Sequence, residues 1–294
     1  MARPPRIEFP GAVYHVSAWS DAGHLVFEKD ADRAAFLALL AQAMLRFDAQ
    51  VLAYCLLPDH YHLLLYTRQG NLSRLMRHLG GVYTQYHHRL SRSDGPLFHG
   101  RFKAILVDRE AHLLDVCRYV ELNPLRLGLA AAPELWPWSS FREHAGLDVA
   151  PLWLDAVGLW SYVIGREARS AADQRRAAER YAKWVAKEPG FQLWPGRLRQ
   201  QIFLGDEAFV QAMLARAKAA APLGHQRPSK AAKPGFDWPA CLRTSASREQ
   251  ALYRAHTEAG QTMGSLAVHL GLSVSRVSRL IAGHEQSLLG QNLA

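Results

Sequence analysis

Val51-Leu52-Ala53-Tyr54-Cys55-Leu56-Leu57-Pro58-Asp59-His60-Tyr61-His62-Leu63-Leu64-Leu65-Tyr66 decides the fold. Residues 51–57 are apolar and aromatic, Pro58-Asp59 is turn chemistry, and His60–Tyr66 resumes strand character. Two strands joined this tightly run antiparallel. Outward from them, Gly11–Trp19 predicts a strand. Asp30–Phe47 predicts a helix, with Phe36, Leu37, Leu39, Leu40, Met44 and Leu45 at helical spacing. Asn71–Arg92 predicts a second helix, Phe102–Val107 a fourth strand and Glu110–Leu122 a third helix. Asn123-Pro124 stops that helix, because proline disfavours helix at the residue before it. The order β-α-β-β-α-β plus one helix is α+β, the ferredoxin-like split βαβ pattern. It predicts one antiparallel sheet with helices on one face and the other face free for a site. The fold alone assigns no function.

The chain has 294 residues, 49% hydrophobic, which suffices for ordinary cores. A net charge of +9 and a pI near 9.7 point to a polyanionic partner, nucleic acid before membrane. Cys55, Cys117 and Cys241 are odd in number and widely spaced. They suggest neither a disulfide framework nor a zinc knuckle, so a reducing cytoplasm is expected. Met1–Pro10 has no apolar signal core, and no run is long enough to cross a bilayer. The texture changes after Gly146. The expected organisation is a catalytic domain over 1–146, a helical accessory region over 147–220, a Pro/Lys/Gly/Ala-rich linker over 221–246 and a helical module over 247–294.

Side chains at i and i+2 share one face of a strand, so His60 and His62 point one way and Tyr61 the other. Two adjacent imidazoles make a bidentate metal platform. Alone, such a pair is more often a surface pair or a buried hydrogen-bonded histidine. Tyr119 and Asn123, spaced i, i+4, share a helix face. Asn123 offers a hard carbonyl oxygen suited to Mg²⁺ or Mn²⁺. A tyrosine beside a divalent metal can attack a phosphodiester and keep the phosphate covalently. Taken alone, this helix equally fits a core aromatic followed by a helix stop. Tyr83 and Tyr86 on the second helix are competing nucleophiles.

Together the two motifs resemble a known family. His60-Tyr61-His62 is similar to the HUH motif, and Tyr119-Val120-Glu121-Leu122-Asn123-Pro124 resembles the Tyr-x-x-x-Asn-Pro signature of the REP-associated tyrosine transposases, which are single-tyrosine HUH enzymes. Leu57-Pro58-Asp59, Phe98-His99-Gly100-Arg101-Phe102-Lys103, Leu125-Arg126-Leu127-Gly128-Leu129 and Trp138-Ser139-Ser140-Phe141 extend the match. It covers residue 6 to about 146. The resemblance implies Mg²⁺ or Mn²⁺ held by His60, His62 and Asn123. It also implies a 5′-phosphotyrosine at Tyr119 and single-stranded DNA beside a hairpin of a repeated extragenic palindrome as substrate. Ala18-Trp19-Ser20-Asp21 departs from the short Arg/Asn/Gly stretch such proteins often carry there, which bears on DNA contacts and not on the chemistry.

Arg74, Arg77, Arg89, Arg101 and Lys103 crowd one region with histidines and phenylalanines interleaved, as a groove for phosphates and unpaired bases would require. Arg101 and Lys103 alternate on a strand and share a face. At the far end, residues 262–282 carry Leu266, Ala267, Leu270, Gly271, Leu272, Val277 and Leu280 where a helix-turn-helix needs them. Ser273 would cap its second helix, offering Ser275, Arg276 and Arg279 to a duplex groove. A small helical hairpin without a DNA role fits the same pattern.

The expected function is metal-dependent nicking and strand transfer of single-stranded hairpin DNA, in a soluble, nucleoid-associated cytoplasmic protein whose second module holds flanking duplex. The alternative is a non-catalytic, domesticated DNA-binding regulator of the same ancestry. An RNA-binding protein of this fold would carry aromatic pairs where His60-Tyr61-His62 stands. A nuclease using metal-bound water would not need Tyr119. Oligomeric state, target sequence and physiological metal are not written in the sequence.

Overall fold

The computed structural model describes residues 7–20, 25–91, 95–194, 196–220, 237–257, 259 and 261–291. The chain divides into two units, residues 1–223 and 224–294.

In the first unit, β1 (Ala12–Trp19), β2 (Ala49–Leu56), β3 (His60–Thr67) and β4 (Lys103–Val107) stand in the order β2-β3-β1-β4. All neighbours among them run antiparallel, as the split βαβ pattern requires. The Leu57 N–H donates to the His60 carbonyl at 2.8 Å and closes the turn around Pro58-Asp59. α1 (Asp30–Phe47) and α2 (Leu72–Ser91) cover one face. Phe36, Leu40 and Met44 of α1 and Leu75, Leu79 and Tyr83 of α2 share a buried core with Tyr61, Leu63 and Leu65 of β3. The alternating residues of β3 face the other way.

That second face, expected to be free, is covered by α3 (Arg109–Glu121) and by helices from later in the chain. The reason lies in the strands. Val13, Ala53, Cys55 and Leu64 make their second face apolar too, and a sheet apolar on both faces must be buried on both. The Asp108 carboxylate caps α3, accepting from the N–H groups of Glu110 and Ala111 at 3.1 and 3.4 Å. α3 ends at Leu122, and Asn123-Pro124 opens the single turn α4 (Asn123–Arg126). Proline has no N–H to lose at a first turn, so it starts one helix as it stops another.

Residues 147–220, whose role the sequence left open, belong to this unit. α5 (Phe141–His144), α6 (Ala156–Ile164) and α7 (Ala171–Ala186) pack beside α3. β5 (Leu198–Arg199) and β6 (Phe203–Leu204) then extend the sheet, β6 running parallel to β4 and pairing with it only at Leu106 and Val107. α8 (Glu207–Ala220) packs on the α1/α2 side through Val210.

The second unit holds α9 (Trp238–Arg243), α10 (Arg248–Thr257), α11 (Met263–Leu270) and α12 (Val274–Gln291). Trp238, Ala251, Leu252, Leu266, Ala267, Val277 and Ile281 form its core. Gly271 ends α11 at φ 64°, a conformation glycine adopts without strain. The Ser273 hydroxyl accepts from the Arg276 N–H at 3.2 Å and caps α12. Most of the expected linker, residues 221–236, lies outside the described residues, as do Asp21 and Arg92, while its end forms α9. Among the described residues no helix is long and apolar enough to cross a membrane, and the cysteines are free thiols.

Candidate active site

The alternation of β3 puts His60 and His62 on the α3 face and buries Tyr61 against α1, as the strand period demands. β1 supplies the neighbours in register, Trp19 opposite His60 and Ser17 opposite His62. α3 crosses this face and brings the half-buried Tyr119 ring to 5.8 Å from the His62 ring, edge on. The His60 and His62 rings lie 5.1 Å apart. Tyr83 is excluded by place. It is buried under α2 on the opposite face, its hydroxyl donating to the Val26 carbonyl at 2.7 Å.

The two histidines are oriented from behind. His60 Nδ1 lies 2.7 Å from an Asp59 carboxylate oxygen, and His62 Nδ1 lies 3.0 Å from His15 Nε2. In both rings Nδ1 is the bonded nitrogen, which leaves Nε2 to face a metal. Burial drives the His62 pKa well below its ordinary value and pushes His15 down to about 3, so both rings are neutral at pH 7. Neutral imidazoles are what a divalent cation needs. Asn123 is buried at the start of α4. Its amide nitrogen donates to the carbonyls of Tyr119 and Val120 at 3.0 and 3.3 Å, leaving only Oδ1 as a ligand. Imidazole nitrogens and an amide oxygen are donors of the kind Mg²⁺ or Mn²⁺ takes. Among the described residues, no group of three or more His, Cys, Asp or Glu is arranged to hold a metal by itself.

Tyr119 is held by groups from well outside its helix. The Arg126 guanidinium sits 4.2 Å from the Tyr119 ring centroid and donates to the Tyr119 and Phe191 carbonyls. The Trp194 ring meets Tyr119 edge on at 4.9 Å and His15 at 4.9 Å. One residue before Tyr119, Arg118 lies between Trp184 and Phe191 and pairs with Glu188 at 2.8 Å. Two residues after it, the fully buried Glu121 accepts from Ser140 at 2.7 Å and Tyr181 at 2.6 Å, and lies 2.6 Å from His144 Nδ1.

Residues 10–123 match the family of IS200-like transposases. A putative REP-associated tyrosine transposase of Haemophilus influenzae is 23% identical over 128 residues, spanning 40% of this chain and 72% of its own. Over residues 10–123 the chain is similar to these transposases. The resemblance read from the two motifs is thereby upheld. A solved structure described as a REP-associated tyrosine transposase bound to a REP hairpin is similar over 52% of this chain and 90% of its own, at 14% identity and a TM-score of 0.45.

The DNA-contact candidates fall in three places. Arg101 and Lys103 line a cavity that reaches Tyr119 and His62. Arg74, Arg77 and Arg89 are exposed on α2, in the layer on the other side of the sheet. Ser275, Arg276 and Arg279 are exposed on α12 in the second unit. Sequence reasoning gave no role to His15, Arg126 or Trp194. For His15 a signal existed, since His15 and Ser17 alternate with Tyr14, Val16 and Ala18 and put two polar groups on one face of an otherwise apolar strand. Trp194 gives no signal, because only the fold carries it back to Tyr119.

Proposed function

We propose that the first unit nicks and rejoins single-stranded DNA next to a hairpin through a covalent 5′-phosphotyrosine at Tyr119. The observation that carries the reading is a half-buried tyrosine from α3 set edge on to His62 and beside His60, two β3 histidines whose Nδ1 atoms are already engaged. His60, His62 and the Asn123 Oδ1 would hold Mg²⁺ or Mn²⁺, which would polarise the scissile phosphate and offset its charge. The Tyr119 phenol gives up its proton and its oxygen bonds phosphorus. The bond from phosphorus to the 3′ oxygen breaks, and that oxygen takes a proton to become a free 3′-hydroxyl. A second DNA 3′-hydroxyl later attacks the phosphotyrosine and releases Tyr119. The bond energy is kept throughout, so no nucleotide cofactor is required. Arg101 and Lys103 supply charge for the DNA backbone, and the second unit supplies exposed Ser275, Arg276 and Arg279 for flanking duplex, as a helix-turn-helix does.

The test is a denaturing protein gel of the chain incubated with Mn²⁺ or Mg²⁺ and labelled hairpin DNA with unpaired flanks, taken from palindromes beside its gene. A labelled covalent band is expected. It should vanish with chelator and in Tyr119→Phe, and persist in Tyr83→Phe. DNA binding without a band under any metal would assign the chain to the alternative, a non-catalytic DNA-binding regulator of the same ancestry.

A further inference from the structure

A cavity of about 660 Å³ opens beside Tyr119 and His62, within the range of about 300–1,000 Å³ typical of ligand sites. Trp19 stands at the His62 end, stacked on His60 at 5.6 Å, with the Lys103 ammonium 4.9 Å from its ring centroid. Trp194 stands at the Tyr119 end. The cavity follows the edge of β4 over Lys103–Ile105, where β6 does not pair. Its rim carries Gln200 and Gln201, consecutive non-glycine residues at φ 48° and 62°. Two such residues in the left-handed region are uncommon and cost free energy, so the tight β5–β6 turn holds these exposed amides at a backbone penalty. Among the described residues Arg101 and Lys103 line the cavity and no Asp or Glu does.

We propose that this cavity seats one unpaired nucleobase adjoining the scissile phosphate, stacked on Trp194 beside Tyr119, with Gln200 and Gln201 at its edge. The inference rests on the tyrosine-transfer reading above and adds to it a base-specific subsite. Three features select this ligand. Flat aromatic walls suit a π-face. A lining that holds Arg101 and Lys103 suits the attached phosphate. Side-chain amides pair with the donor and acceptor pattern of a base edge. The wall formed by Trp194, Leu198, Gln200, Gln201, Ile202 and Phe203 lies outside the segment that matches the transposase family, so the subsite belongs to this chain's own accessory region.

The experiment uses the full chain with Tyr119→Phe, which binds without cutting, and a hairpin oligonucleotide with unpaired flanks. 2-Aminopurine and then an abasic site are walked through the flank. Quenching is expected at one position next to the scissile phosphate. An abasic site there should weaken binding about 5- to 150-fold, equivalent to about 1–3 kcal/mol of stacking. Trp194→Ala should abolish both effects and Trp194→Phe retain them. Gln201→Ala, at an exposed rim position, should relax the preference among the four bases. Equal quenching at every position, or an abasic penalty that survives Trp194→Ala, overturns the subsite, and so does an unaltered base preference in Gln201→Ala. The covalent band separates the two readings. A chain that forms the band without the position-specific effects keeps the tyrosine reaction and loses the subsite. One that shows these effects without the band keeps the subsite and loses the reaction.

Discussion

His15 and His62 share a single hydrogen bond between neutral rings. For His62 to offer Nε2 to a metal, its Nδ1 must carry the proton and His15 Nε2 must accept it. His15 then holds its own proton on Nδ1, a buried nitrogen without a hydrogen-bond partner among the described residues. His15→Phe removes the acceptor and should weaken Mn²⁺ binding about 10- to 100-fold by calorimetry, the usual effect of losing a residue that orients a ligand. Both rings also tie stability to pH. Unfolded histidines titrate near 6.5, whereas burial holds the folded His15 near 3 and the folded His62 well below 6.5. Above pH 6.5 neither state binds the protons. Below it the unfolded chain takes them and the folded chain does not, so stability falls as pH falls, by about 1.4 kcal/mol per pH unit for each histidine. Urea midpoints measured with chelator between pH 7 and 5 should show this slope. In His15→Phe the slope should shrink by about one proton, and an unchanged slope would mean that His15 is not buried neutral. The pair His60/His62 and Tyr119 were legible because a strand repeats every two residues and a helix every four. His15 was half legible, as a polar residue in an apolar strand. Trp194 and Arg126 were not, since what they do depends on distant chain.

At the scale of elements, α3 is the part on which the site depends. Its cap, Asp108, is seen in the structure, while its extent and its stop were legible locally, as Glu110–Leu122 ending at Asn123-Pro124. What holds it was not. Glu121 accepts hydrogen bonds from α7 and from the chain entering α5, and no local pattern distinguishes a buried carboxylate from a solvated one. Glu121→Ala strands donors from Ser140 and Tyr181 in a dry interior and should cost about 3 kcal/mol or more in thermal or urea unfolding. Glu121→Gln should cost less, because it keeps an acceptor. The covered second face has the same origin. Hydrophobic patterning showed which residues are apolar, but strands buried on both faces read as continuous apolar runs and do not announce what will lie on them.

At the scale of the molecule, the division at residue 223 separates the tyrosine site from the exposed Arg276 and Arg279. Removing residues 224–294 should leave the covalent reaction on hairpin DNA while duplex binding weakens. Arg276→Ala with Arg279→Ala in the full chain should lower the slope of log affinity against log salt on duplex by about two. Survival of the full slope in a filter-binding titration would remove the second unit from the DNA-binding account.

The sheet of the first unit also bears on its synthesis. Leu106 of β4 pairs with Phe203 of β6, so the ribosome must add roughly a hundred residues between the partners, taking about 5–20 s at the usual elongation rate. During that interval the nascent chain displays a naked sheet edge at β4. The tyrosine stands without Trp194 beside it. Such an edge invites pairing with neighbouring nascent chains on the same message. Slowing translation downstream of residue 107 should therefore increase the insoluble fraction, whereas a bound chaperone should lower it. The strand that completes the sheet thus also sets the moment at which a newly made molecule becomes safe from its siblings.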